Sequence, residues 1–135
     1  CRGPVVLTPH PGEMARLCGC TAADVEADRP GTARRFAEQY GVTVLLKGAD
    51  TVVASAGTEE LYFNTTGNQG LAKGGSGDTL TGILAAFLAQ GMEPFEAAAA
   101  AAFYHGKAAE YCAETMSLRT LLAGDLIAAL PYVLP

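Results

Sequence analysis

Residues 64–78, Asn-Thr-Thr-Gly-Asn-Gln-Gly-Leu-Ala-Lys-Gly-Gly-Ser-Gly-Asp, constrain this chain more than any other stretch. Glycines at 67, 70, 74, 75 and 77, with Asn, Thr, Gln and Ser between them, cannot present a periodic apolar face, so residues 64–77 read as a loop. A loop of that length inside a compact domain is usually functional. Directly after it, over 78–90, Leu80, Ile83, Leu84, Phe87 and Leu88 recur at helical spacing before Gly91 ends the run. The loop therefore brings unhindered amides to a helix N-terminus, where the dipole and the orphan N–H groups favour an anion.

Gly75, Ser76 and Gly77 are thus a candidate anion hole, and the carboxylate of Asp78 beside them suits a general base that takes a proton from a substrate hydroxyl. An isolated GxGD would be read more simply as a turn and a helix cap. The whole stretch, with a strand-end lysine upstream, favours function. It is neither a P-loop, which needs GxxxxGK[ST], nor a dinucleotide fingerprint, because no strand leads tightly into a GxGxxG.

The flanking elements follow an α/β order. Val5-Val6-Leu7 reads as a short buried strand that delivers the loop Thr8-Pro9-His10-Pro11-Gly12, where two prolines oppose helix. A short helix is expected over 13–18, and Thr21 with Asp24 forms a capping box for a second over 22–27. Pro30 suits a first helical turn, and Ala33, Phe36, Ala37 and Tyr40 continue that helix to a glycine cap at Gly41. Residues 42–46 form a β-branched and leucine run suited to a parallel sheet, followed by hairpin-like strands at 51–54 and 60–63. An alanine-rich helix over 94–114 and an amphipathic helix over 122–133, broken late by Pro131, complete the chain. The expected fold class is α/β, a mostly parallel sheet flanked by helices, with ligands at the carboxyl ends of its strands.

Composition removes several functions. With 9 Lys+Arg against 14 Asp+Glu, a net charge of -5, and no basic cluster beyond Arg34-Arg35, nucleic-acid binding is disfavoured. No apolar run approaches the ~20 residues of a membrane span. Cys1, Cys18, Cys20 and Cys112 form no CxxC pair and read as thiols of a reducing compartment. The run Cys1-Arg2-Gly3-Pro4 opens with no charged or apolar stretch of an export signal, so a cytoplasmic location is expected, and a start without Met reads as a piece of something longer.

Two further strand ends carry chemistry. Lys47-Gly48-Ala49-Asp50-Thr51 suits a nucleotide phosphate or ribose, although Lys-Gly is also ordinary turn chemistry. His10-Pro11-Gly12-Glu13 puts an imidazole and a carboxylate on a rigid loop, fit for substrate contact or a water-bridged Mg2+, or equally for a solvated turn with a capping glutamate. His105, among Phe103 and Tyr104 in the alanine-rich helix, reads as a packed residue with no catalytic role, and the Asn64-Thr65-Thr66 sequon is set aside.

Together, the runs 8–13 (Thr-Pro-His-Pro-Gly-Glu), 46–51 (Leu-Lys-Gly-Ala-Asp-Thr), 64–83 and 122–126 (Leu-Ala-Gly-Asp-Leu) closely resemble the NAD(P)H-hydrate dehydratases of the ribokinase-like superfamily. The wider superfamily carries Asn-x-x-Glu where this chain has His10-Pro-Gly-Glu13, which turns the resemblance from sugar kinases toward the dehydratases. It implies ADP- or ATP-dependent dehydration of hydrated NADH or NADPH (NADHX, NADPHX). It further implies His10 and Asp78 on the substrate, Lys47, Gly48, Ala49, Asp50, Thr51 and Gly77 on the adenine nucleotide, and Glu13 toward Mg2+. Gln69 stands where members often carry proline, and the run 117–120 (Ser-Leu-Arg-Thr) departs from the family pattern.

Family members have a domain about twice this size, so residues 1–135 are expected to be its C-terminal half, a single partial domain from a longer homo-oligomeric protein. Two competing readings are a related kinase of a hydroxymethylpyrimidine, a thiazole or a sugar, and a non-catalytic nucleotide-binding fragment.

Overall fold

The computed structural model describes residues 3–135, so Cys1 lies outside the described residues. The element order is β1 (Val6–Leu7), α1 (Pro11–Cys18), α2 (Ala22–Ala27), α3 (Arg29–Tyr40), β2 (Thr43–Leu46), β3 (Val52–Ser55), β4 (Leu61–Phe63), a 3-10 turn (Gln69–Leu71), α4 (Ser76–Ala89), α5 (Pro94–Thr115) and α6 (Ala123–Val133). The described residues group into two compact units, one of residues 3–64 with Glu93–Ala99, the other of Thr65–Met92 with Ala100–Pro135.

In the first unit the strands lie in the order β1-β2-β3-β4. β1 runs parallel to β2 in the register Val6↔Thr43 and Leu7↔Val44, with α1, α2 and α3 making the crossover. β2 with β3 and β3 with β4 are antiparallel, because the short connections after Leu46 and Ser55 permit only hairpin returns. The α/β class is as expected. Among the described strands it consists of one parallel pairing and the hairpin run anticipated over residues 51–63.

Helix boundaries follow local signals. Thr21 and Asp24 close the capping box of α2, with Asp24 N–H donating to Thr21 Oγ1 at 3.1 Å and Thr21 N–H to Asp24 Oδ2 at 2.9 Å. Gly41 ends α3 at φ +64, a left-handed conformation that glycine adopts without steric cost. Met14, Val25, Ala33, Phe36 and Ala37 of the helices then pack on Val44, Leu46, Val52 and Ala54 of the sheet. β2 is buried along its whole length, as a strand covered on both faces must be.

The second unit is helical. Ala108, Ala109 and Cys112 of α5 pack with Leu121, Leu126 and Ala129, and small side chains on α5 permit that close approach. Pro131 lies inside α6, but close to its end at Val133.

Two expectations are corrected. The loop expected over 8–12 ends sooner, because α1 begins at Pro11: proline at the first helical position lacks only an N–H that would be orphaned anyway. The glycine loop likewise ends at Gly75, and Ser76 and Gly77 already belong to α4.

Candidate functional site

In the first unit, the pairing of β1 with β2 continues past the strands, since Lys47 N–H donates to Pro9 O at 2.8 Å. That bond sets the loop after β1 beside the loop after β2. His10 is the N-cap of α1, and its Nδ1 accepts from the N–H groups of Gly12 and Glu13 at 3.1 and 3.2 Å. A ring nitrogen that accepts carries no proton, so the neutral imidazole holds its proton on Nε2. Gly12 makes room for this ring, because a Cβ there would lie 3.1 Å from His10 Cε1.

Glu13 closes the box by accepting His10 N–H on Oε2 at 2.8 Å. The same carboxylate lies 3.9 Å from Lys47 Nζ and, through Oε1, 3.5 Å from His10 Nε2. The His10 N–H, followed by the Lys47 charge, holds the Glu13 carboxyl below the ordinary carboxylate range. His10, Glu13 and Lys47 are therefore brought together, and the cap supplied by the histidine itself makes Nε2–H its available donor. Half-exposed Glu13 is the only carboxylate of this group, and no cluster of three or more His, Cys, Asp or Glu among the described residues could cage a metal. The arrangement fits a Mg2+ that keeps most of its ligands as water or phosphate oxygen.

Residues 47–51 form a tight turn in which the Thr51 hydroxyl accepts from Gly48 N–H at 3.2 Å and donates to Gly48 O at 2.9 Å. Behind it stands Arg29, whose Nη2 donates to Leu46 O, Lys47 O and Asp50 O at 3.3, 3.0 and 3.1 Å. Nothing in the sequence marks this contact, which joins residues 17 to 21 apart.

In the second unit the glycine loop is anchored along α5. Thr66 Oγ1 donates to Phe103 O at 2.8 Å, Gly67 N–H to Glu110 Oε1 at 2.9 Å, and Asn68 Nδ2 to Ala109 O at 2.8 Å. Lys107, then that Gly67 N–H, lowers the Glu110 carboxyl. Lys73 Nζ donates to Arg119 O at 2.7 Å. The loop is held open by contacts on its flanks, and it ends at Gly75. Two features call for glycine there: its φ is +84, and a Cβ at this position would stand only 3.1 Å from Ala123 Cβ.

Gly75 is the N-cap of α4, Ser76, Gly77 and Asp78 form its first turn, and Asp78 is exposed. Helix geometry leaves the N–H groups of that turn without intrahelical partners, which is the property the anion hole requires. The Ser76 N–H, however, donates to Lys73 O at 3.2 Å, so an anion would have to share or displace that contact. The Ser76 side chain points inward and meets His105 Nε2 at 3.3 Å, both residues being buried. His105 is therefore a packed residue, as its sequence context implied, but its contact is with the first turn of α4. Burial pushes its imidazole down to about 4, against the opposing pull of Ser76.

Beside this turn opens a groove of about 540 Å3, lined by Gly75, Asp78, Thr79, Ile83, Ala123 and Ile127 among others. Its walls are mostly apolar, and Asp78 is the one charged residue among those lining it. The expected site residues thus fall into two sets: His10, Glu13 and residues 47–51 in the first unit, Gly75 to Asp78 in the second. Arg29 and His105 are among the residues whose contacts the sequence did not disclose, as are Thr66 and Asn68, which meet α5, and Lys73, which meets Arg119.

The family model described as NAD(P)H-hydrate dehydratase matches residues 1–132. The chain is 51% identical over 132 residues to a bifunctional NAD(P)H-hydrate repair enzyme of Moorella thermoacetica, covering 98% of this chain and 25% of that protein. It is 50% identical to the ADP-dependent (S)-NAD(P)H-hydrate dehydratase of Neisseria meningitidis, covering 93% of this chain and 42% of that one. A crystal structure of the ADP/ATP-dependent NAD(P)H-hydrate dehydratase of Bacillus subtilis, co-crystallized with ATP/Mg2+, superposes with a TM-score of 0.91 at 41% identity, over 97% of this chain and 47% of that one. The chain therefore spans between a quarter and a half of the length of these three relatives.

Proposed function

The chain belongs to the NAD(P)H-hydrate dehydratase family, and on that premise we propose that it is the C-terminal half of a ribokinase-like domain that returns NADHX and NADPHX to NADH and NADPH. The observation that carries the reading is the first turn of α4, where the Asp78 carboxylate stands beside glycine-borne amides at the edge of an apolar groove.

In this reading Asp78 takes the proton of the ring hydroxyl, and the hydroxyl oxygen attacks the terminal phosphorus of ADP or ATP, releasing AMP or ADP. The amides of Gly75, Ser76 and Gly77 stabilise the charge on the transferring group, with Ser76 exchanging its bond to Lys73 O for the anion. The ring nitrogen's lone pair then expels phosphate, and loss of a proton from the neighbouring carbon restores the double bond.

His10 offers Nε2–H to the substrate, and Lys47, Gly48, Ala49, Asp50, Thr51 and Gly77 hold the nucleotide. Mg2+ neutralises phosphate charge when bound, and Glu13 is the carboxylate assigned to it, through water. Nine-tenths or more of the chain aligns with relatives bearing this activity in their names, which supports the substrate class. No helix among the described residues is long and apolar enough to cross a membrane, and we take the longer protein to be a cytoplasmic homo-oligomer.

The test is NADH absorbance on mixing the protein, joined to its natural upstream sequence, with hydrated NADH, Mg2+ and either ADP or ATP. Nucleotide-dependent recovery that falls by several orders of magnitude in Asp78→Asn, with nucleotide binding kept, is the expected result and names the donor. Silence with intact nucleotide binding would transfer the reading to a kinase of another small molecule, and silence without binding to a non-catalytic fragment. Wild-type turnover in Asp78→Asn would refute the role given to Asp78.

A further inference from the structure

Arg29 opens α3, and its side chain is only 11% exposed, whereas that of Arg35 on the same helix is 68% exposed. One face is neutralised by Glu26, whose Oε1 lies 3.1 Å from Nη1. The other is spent on backbone: a single nitrogen, Nη2, donates to the carbonyls of Leu46, Lys47 and Asp50. Gly48 accommodates this, because a Cβ there would stand 2.5 Å from Nη2 and 2.9 Å from Cζ. Within the loop the Thr51 hydroxyl serves Gly48, and from the sheet Asn64 N–H donates to Thr51 O at 2.9 Å.

We infer that Arg29 is a positioning residue for the nucleotide: by gathering three carbonyls it builds the 47–51 loop into its binding shape before the ligand arrives. This rests on the reading that the loop holds the adenine nucleotide. The physical ground is that loop carbonyls left to water would sample several conformations, and a ligand would have to select one of them. Nη2 carries two N–H groups, so the three carbonyls share them, and the guanidinium plane, fixed on its other side by Glu26, sets where those two point, whereas an ammonium on a flexible stem rotates freely. Removal of Arg29 should therefore appear as weaker nucleotide binding, with chemistry on bound nucleotide preserved.

The experiment uses the longer natural protein carrying Arg29→Met or Arg29→Lys, with circular dichroism to establish folding. Nucleotide KM should rise on the order of ten- to a hundred-fold in Arg29→Met and less in Arg29→Lys, while kcat at saturating nucleotide and KM for the hydrate stay within about three-fold. Added ethylguanidinium should recover part of the lost nucleotide affinity in Arg29→Gly. A parallel Lys47→Ala, Thr51→Ala double variant separates the two ideas. If it leaves nucleotide KM unchanged, the loop does not hold the nucleotide and the reading beneath the inference fails. If it raises nucleotide KM but folded Arg29→Met does not, the inference alone is overturned. Equal losses in all three constants, or loss of fold in both Arg29→Met and Arg29→Lys, would also overturn it, making Arg29 a determinant of folding.

Discussion

His105 should be neutral far below the pH at which an imidazole normally takes up a proton, and the consequence for stability can be worked from its surroundings. Residue 105 is 6% exposed, in the middle of α5, with Ser76 Oγ as its hydrogen-bond partner at 3.3 Å. Burial lowers its value from 6.5 to about 4. At ~1.4 kcal/mol for each pH unit between the two, this amounts to about 3 kcal/mol. Because the folded value is the lower one, the unfolded chain binds the proton first as pH falls. The contribution is then fully present above about pH 6.5, erodes between 6.5 and 4, and is gone below 4.

Other groups also lose stability in acid, notably Glu13, Asp24, Asp28 and Glu110, whose carboxyls are all lowered in the fold. The assay is therefore a difference: urea unfolding from pH 7 to pH 4 for the parent and for His105→Gln, which keeps a polar group toward Ser76 but does not titrate. The parent should lose about 3 kcal/mol more than the variant over that interval, roughly 10 °C in Tm for a chain of this size. An NMR titration of the imidazole Cε1–H signals, assigned with His10→Gln, gives the value directly. Titration of His105 near 6.5, or parallel pH curves for parent and variant, would refute the argument that burial dominates its environment.

Three further outcomes follow from packing and hydrogen bonding. Gly106→Ala should cost about 1–3 kcal/mol, because the new Cβ meets Thr66 Oγ1 and lies 2.6 Å from the Thr66 carbonyl carbon; a stability within error of the parent would show that loop and helix shift freely. Met14→Ala, at a fully buried position in the first unit's core, should cost about 2–5 kcal/mol in denaturant unfolding, and a value below that range would mean the site collapses around the deletion. Asn68→Ala removes the bonds to Ala109 O and from Gly70 N–H, at 2.8 and 2.9 Å, so amide exchange at Gly70 should accelerate on the order of ten-fold or more, and unchanged protection would remove Asn68 as the loop's anchor.

Several features are legible in the sequence, and they share one property: their determinants lie within about four residues of one another. The Thr21–Asp24 box, the glycine stops at Gly41 and Gly91, the hairpin strands and the delivery of glycine amides to the start of α4 are of this kind. Proline misleads at residues 8–12 because its cost in a helix interior vanishes at the first turn, and whether Pro11 stands there depends on His10 turning its own ring back to cap the helix. The sequence by itself determined that glycine-borne amides and the Asp78 carboxylate would meet at the start of one helix. Only the tertiary structure decided which distant groups meet these segments: in the first unit Arg29 on the carbonyls of 46, 47 and 50, and in the second His105 on Ser76 from 29 residues away. Those contacts depend on how helices pack, and a buried polar group takes whichever partner packing brings to it, a choice no local spacing encodes.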